Sequence, residues 1–336
     1  MTEHKYSDLF RYRNVWMGFA ILWIIVYHSE LPVDNRLLWM VKNVGYCGVD
    51  IFFFASGIGC FYSFRKTPDP WEFMKKRLWR IIPTYWVFLV FWLLFHFIQK
   101  DLIPETIIGN IFCLEYFMDP ELDRAFNWYM GAVWVMYLLV PYFYGHIIRR
   151  KEKSLRLIML LLVISVTFWH SDNLILLATR IPVFFLGMYF GFLGTEDRIM
   201  SRKAYLIQFA CFLAGFLFLV PMRLLVTDNT IMWGCGLLFY PFLLMTPFIC
   251  FTISLIAEKQ IPGINKVIWF LETAGRWSFE LYLMHHLVFD FGFAYLNHMS
   301  FYMTRRWWWL LYLLVVPCTY VLRKLTELIT HQLHIR

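Results

Sequence analysis

The sequence predicts an all-α polytopic membrane protein of about ten transmembrane helices in one bundle, with both termini cytoplasmic. Three observations carry this. The 336 residues are 60% apolar and 16% charged, where soluble domains average about 45–50% and about 25%. The apolar residues come in blocks of roughly 18–25, the length that crosses a ~30 Å hydrocarbon core at ~1.5 Å per residue. Lys and Arg divide unequally between alternate loops. Sixteen Trp and nineteen Tyr suit interfacial belts as well as a packed interior.

The first block, 15–31, follows a polar leader. No small-residue cleavage site follows it, so it reads as a retained helix rather than a signal peptide. The second, 41–64, is rich in small residues: Gly45, Gly48, Ala55, Ser56, Gly57 and Gly59. They offer either a close-packing face or room for a ligand to approach the backbone. The third, 81–98, rises from the basic stretch KKRLWRIIPTYW. Segment 103–118 is apolar but broken by Pro104, Glu105, Gly109 and Glu115. It is too short and too polar to span, and predicts a re-entrant or interfacial helix. Blocks 126–148, 155–170, 174–194, 204–221, 231–257, 277–297 and 307–327 complete the ten. Neither an internal repeat nor a flexible linker interrupts them, so 1–336 reads as one transmembrane domain.

Orientation follows from charge. With the N-terminus placed in the cytoplasm, all but eight of the 31 Lys and Arg residues fall on that side. The eight are Arg36, Lys42, Lys100, Arg124, Arg180, Arg223, Arg305 and Arg306. The loop 99–127 is acidic (Asp101, Glu105, Glu115, Asp119, Glu121, Asp123) and falls outside. The bias supports two cytoplasmic termini and an even helix count. In a soluble chain the net charge of +8 would suggest nucleic acid. Here it sits in short loops, orientation accounts for it, and no nucleic-acid partner is expected. The seven cysteines show no CxxC spacing, so neither a disulfide framework nor a zinc motif is indicated.

An ionisable side chain at the centre of a membrane helix costs about 2.5–3.5 kcal/mol, and each one needs a reason. Five stand out: His28 in WIIVYHSE, Asp50 in GYCGVDIFFFASGIG, Arg180 in ATRIPVFFLGMYFG, and Glu280 and His285 in GRWSFELYLMHH. At ~1.5 Å per residue, His28 lies ~20 Å from the inner start of its helix. Asp50 and Arg180 lie ~13 Å and ~9 Å from their outer ends, and His285 ~12 Å from its inner end. Glu280 falls nearer the cytoplasmic face. A shared polar site in the outer half is compatible with these depths. So are plainer roles: His28 or Glu280 at an interface, Arg180 snorkelling, Asp50 and Arg180 as a structural pair. Metal ligation is not expected. His285 and His286 are adjacent and should point to different helix faces, and no HExxH is present. Nor is there a GxSxG elbow, which leaves histidine acid/base or nucleophilic chemistry. Arg77 and Arg80, three apart below the third block, read as interfacial anchors or as a phosphate clamp.

The order of these motifs resembles the acyltransferase-3 family of bacterial integral-membrane O-acyltransferases. NVWMGFAILWIIVYHS is similar to that family's first helix, which ends in a functional His. GVDIFFFASG resembles its GVDLFF-x-x-SG, and RLWRIIPTYW its R-x-x-R-I-x-P-x-Y. WYMGAVWVMYLLVP, RIPVFFLGMYFG and GRWSFELYLMHH follow in the family's order. The resemblance implies ten helices in the bacterial cytoplasmic membrane. It implies transfer of an acyl group, commonly acetyl, from cytoplasmic acyl-CoA to a hydroxyl of a cell-envelope glycan or other exported acceptor. No permanently bound cofactor is implied, and the oligomeric state is left open. His28 carries the catalytic role, with Asp50 or Arg180 orienting it and stabilising the oxyanion. Arg77, Arg80 and Tyr85 become candidates for holding acyl-CoA, and Trp128, Glu280 and His285 for the acceptor. Two positions depart from the pattern. Met17 stands where the family often has an Arg, with Arg13 one turn lower. Val133 and Trp134 stand where many relatives carry a Glu.

With a reference pKa of about 6.5, His28 is suited to take the acceptor's proton, or to carry the acyl group itself. A proton-coupled transporter or flippase would use the same residue types, but the inverted repeats and paired broken helices of many transporters are not evident.

Overall fold

The computed structural model describes residues 4–119, 128–169, 171, 173–225, 236–296 and 305–332. Glu121, Asp123 and Arg124, named above, and Cys235, one of the seven cysteines, lie outside the described residues. Eleven main helices are described: α1 Arg13–His28, α2 Gly48–Lys66, α3 Pro70–Gln99, α4 Trp128–Arg149, α5 Ser154–Val166, α6 Ile175–Thr195, α7 Arg202–Leu225, α8 Tyr240–Glu258, α9 Ile264–Arg276, α10 Ser278–Leu296 and α11 Arg305–Gln332.

Eight helical stretches among the described residues are long and apolar enough to cross a membrane. They fall on α1, α2, α3, α4, α6, α7, α8 and α11. Two of the ten expected spans, α5 and α10, are not among them. The 13 residues of α5 reach only about 20 Å, and α10 carries Glu280, His285, His286 and Asp290. Segment 103–118 forms two short helices, Thr106–Ile111 and Glu115–Met118, rather than one.

Local signals set the boundaries. Asp69 accepts from the Glu72 amide and Pro70 opens α3, the usual start of a helix whose first amides lack intrahelical partners. Lys100, left-handed at φ 60°, ends it. The polar leader is pinned rather than loose. His4–Lys5 pairs antiparallel with Ile199–Met200, Lys5 meets Asp197 at 3.1 Å and His4 meets Glu258 at 2.9 Å. Trp16 donates to Ser254, which donates to the Leu9 carbonyl, tying leader, α1 and α8 together.

The most extensive helix pair is α2 with α6. Gly57 lies against the Phe184 carbonyl and Gly187 against the Phe54 carbonyl, the small-residue contact that substitutes for hydrophobic drive between helices in lipid. A second close crossing brings α9 to α1, with Gly18 against Leu271 and Gly275 against Asn14. The bundle has an Arg13 end and a His28 end, the two termini of α1. At the His28 end Tyr312 of α11 donates to Ser29. At the other, Arg323 of α11 lies over Trp277, 5.4 Å from the ring centroid. The leader and the last turns of α11 therefore share the Arg13 end.

Candidate active site

Two polar centres lie along α1 and α10. The first is a cavity of about 490 Å³ at the Arg13 end, between α1, α2, α3, α4 and the α9–α10 junction. Arg13, Arg77, Arg80 and Arg276 line it, and Glu280 is the one carboxylate among its lining residues. Arg77 and Arg80 both lie within electrostatic reach of Arg13. Arg276 has a carboxylate partner of its own in Glu272, 3.9 Å away. Like charges gathered this closely repel, so Arg13, Arg77 and Arg80 beside the one lining carboxylate suit a polyanion, which Arg binds through its planar fork. Arg77 is held in place. It donates to the Gly59 carbonyl at 2.7 Å and lies 5.4 and 5.8 Å from the Phe73 and Tyr137 ring centroids. Met17 lines the cavity beside Arg13, so the positive charge enters from one turn below Met17.

The small residues of α2 divide between a packing face and the cavity wall. Gly57 packs on α6, whereas Ala55, Ser56 and Gly59 line the cavity, and a Cβ at Gly59 would stand 2.7 Å from Arg13 Nη1.

The second centre lies at the His28 end. His285 Nε2 is 3.1 Å from His28 Nδ1, and His285 Nδ1 is 3.0 Å from the Leu281 carbonyl. Hydrogen positions follow from these partners. A carbonyl only accepts, so His285 carries its proton on Nδ1. In a neutral ring its Nε2 then accepts, and His28 donates from Nδ1. The lone pair of His28 is thereby left on Nε2. His286 joins them, with ring centroids 4.3 Å from His28 and 4.1 Å from His285. The expectation that adjacent histidines diverge does not hold. Their Cα positions are ~100° apart on the helix, but both rings curl toward α1. Helix spacing therefore gives no ground for setting metal ligation aside, and sequence reasoning passed over His286.

Asp50 and Arg180 do not join this group. They pair with each other at 3.7 Å, both essentially buried. Arg180 stands 3.8 Å from the Phe239 ring centroid and 5.6 Å from that of Trp128, and donates to Thr179 at 3.0 Å. Among the described residues, no hydrogen bond or ion pair links either to His28, whose ring partner is His285. The structural pairing weighed for Asp50 and Arg180 is what the geometry contains, and Trp128 belongs with it. Glu280 lines the cavity. Tyr85 does not: its hydroxyl donates to the Asn110 carbonyl at 2.7 Å, clamping the helix Thr106–Ile111 onto α3.

The two centres are neighbours. Tyr282 lines the cavity, and its ring centroid lies 5.9 Å from that of His285 and 5.1 Å from that of Tyr129. Neither a curated protein sequence nor a solved structure matches this chain. One family model, described as an acyltransferase domain, matches residues 13–324, nearly the whole chain and every residue of both centres. The chain therefore belongs to the acyltransferase-3 family and is a membrane acyltransferase.

Proposed function

We propose that the protein is an integral-membrane O-acyltransferase that takes an acyl group, expected to be acetyl, from cytoplasmic acyl-CoA. The acceptor is a hydroxyl of a cell-envelope glycan or another exported molecule. In this reading residues 1–336 form one domain in a bacterial cytoplasmic membrane, with both termini and the Arg13 end inside. The observation that carries it is the arginine-lined cavity ending one helical turn from the histidine pair. Tyr282 lies on the cavity wall, and His285 follows ~4.5 Å further along the helix.

Arg77 and Arg80, with Arg13 and Arg276 beside them, hold the CoA phosphates. The acyl-pantetheine arm extends past Tyr129 and Tyr282 toward His28. His28 Nε2 takes the acceptor's hydroxyl proton as the oxygen attacks the thioester carbonyl. The carbon–sulfur bond then breaks, and the departing CoA thiolate takes the proton from His28. Held by Leu281, His285 keeps the His28 Nδ1 proton in place, so Nε2 is the basic nitrogen.

The test is purified protein with radiolabelled acetyl-CoA and envelope glycan fractions. CoA release that requires a hydroxyl acceptor supports the reading. An enzyme that neither binds nor cleaves any acyl-CoA overturns it. Mass spectrometry of envelope glycans and lipids from cells with and without the protein identifies the acceptor by the mass of one acyl group.

A further inference from the structure

The mechanism above uses two histidines and leaves His286 without a role. The donor nitrogens of His28, His285 and His286 lie within 4.8 Å of one another, with His285 and His286 buried. Their arrangement has two features of a metal site. First, the 3.1 Å between His28 Nδ1 and His285 Nε2 is close to the ~3.3 Å that separates neighbouring ligands in a tetrahedron of ~2.0–2.1 Å zinc–nitrogen bonds. Second, His285 donates its other ring proton to the Leu281 carbonyl, the outer contact that fixes the tautomer and aims the lone pair of a metal-ligating histidine. Three imidazoles without an oxygen donor disfavour Mg²⁺ and Ca²⁺ and suit a borderline ion.

We propose that His28, His285 and His286 together bind one Zn²⁺ ion, and that the bound ion inhibits acyl transfer. The inhibitory half rests on the acyl-transfer reading; the binding half does not. His28 Nδ1 faces His285, so ligation displaces its proton, which returns to the same ring at Nε2. No proton is gained or lost overall, but the nitrogen that served as base becomes an N–H donor. Ring rotation of His286 closes the third bond, and water takes the fourth position.

The experiment uses full-length protein purified without a histidine tag, stripped with EDTA and titrated with Zn²⁺ or Co²⁺. About one ion per chain is expected, with the visible absorption of tetrahedral Co²⁺. X-ray absorption of the Zn²⁺-loaded wild type should show three imidazoles. His286→Ala should weaken Zn²⁺ by more than ~100-fold, beyond the ~10- to 100-fold typical of losing an outer contact. Its transfer rate, measured with and without Zn²⁺, should no longer fall when the ion is added, with His286→Gln as the second variant if the first is not monodisperse. Absence of stoichiometric ion, fewer than three imidazoles, or a folded His286 variant that binds like wild type overturns the site. Stoichiometric binding with undiminished transfer overturns only the inhibition. Binding in a protein that transfers no acyl group leaves the site standing and removes the acyl-transfer reading.

Discussion

His285 Nε2 and His28 Nδ1 stand 3.1 Å apart, although 257 residues separate them in the chain. The contact is made by two helices from opposite ends of the sequence, and its direction is dictated from outside the pair by the Leu281 carbonyl. In the proposed mechanism His285 is therefore a positioning residue. His285→Ala should lower kcat by roughly 10- to 100-fold, from losing a hydrogen bond worth ~1.5–3 kcal/mol to the imidazolium that forms, with KM for acyl-CoA unchanged. His285→Gln, whose amide oxygen can accept from His28, should recover part of kcat. Equal loss in the two variants, or a change confined to KM, would argue for a role in binding instead.

His28→Ala removes the proposed base. General acid–base catalysis typically contributes ~10²–10⁴-fold, and acceptor-dependent CoA release should fall by that range. The protein should still reach the membrane and elute as one species in detergent, because His28 lies at the last turn of α1 rather than in its packed middle. Full turnover in this variant would remove His28 from the mechanism.

Much of this was legible in the sequence, for reasons that also explain what was not. Length and apolarity found eight of the ten expected spans among the described residues because hydrocarbon thickness fixes a segment's length, whereas α5 and α10 do not meet it. The same two signals passed over α9, whose 13 residues are amphipathic and short, and which is held by the glycine crossing at Gly18 and Gly275. Depth estimates put His28, Asp50 and Arg180 at compatible heights, but height says nothing of rotation about each helix axis, so the split into a histidine centre and an Asp50–Arg180 pair was not readable. His286 was lost to a rule about Cα directions that long side chains escape. Tyr85 followed the motif, yet a motif does not say which neighbour a hydroxyl will find.

Arg77 and Arg80 should differ in kind. Arg80→Ala is expected to raise KM for acyl-CoA by roughly 10- to 100-fold, the worth of a charge-assisted hydrogen bond, with stability little changed. Arg77 also donates to the Gly59 carbonyl, so Arg77→Ala should raise KM and lower Tm together. Tyr85→Phe makes the contrast. It removes the Tyr85 donor from the Asn110 carbonyl, which still accepts from the Cys113 amide, costs about 1 kcal/mol of stability, and should leave KM alone. Titration of acyl-CoA against initial rate, beside thermal unfolding in detergent, separates the three.

Asp50 and Arg180 should behave as one unit. Removing one partner of a buried ion pair leaves an uncompensated charge and costs about 3–5 kcal/mol. Asp50→Ala and Arg180→Ala should each lower Tm sharply. The double variant should be less destabilised than the two losses added, since no lone charge remains. Additive losses in unfolding experiments would show that the 3.7 Å contact carries no coupling.

Two glycines one turn fraction apart on α2 should give opposite outcomes. A Cβ at Gly57 meets the Phe184 carbonyl and stands 2.9 Å from the Met188 amide. Both are backbone and cannot give way, so Gly57→Ala must part α2 from α6. Overpacking of this sort costs roughly 1–3 kcal/mol or more, and a lower Tm and reduced membrane yield are expected. A Cβ at Gly59 meets only the end of the Arg13 side chain, 2.7 Å away. That guanidinium can swing aside, so Gly59→Ala should fold normally and instead raise KM for acyl-CoA by displacing one arginine of the cavity. If Gly59→Ala lowered Tm as much as Gly57→Ala and left KM unchanged, Gly59 would be a packing residue and the cavity wall would be misassigned at that point.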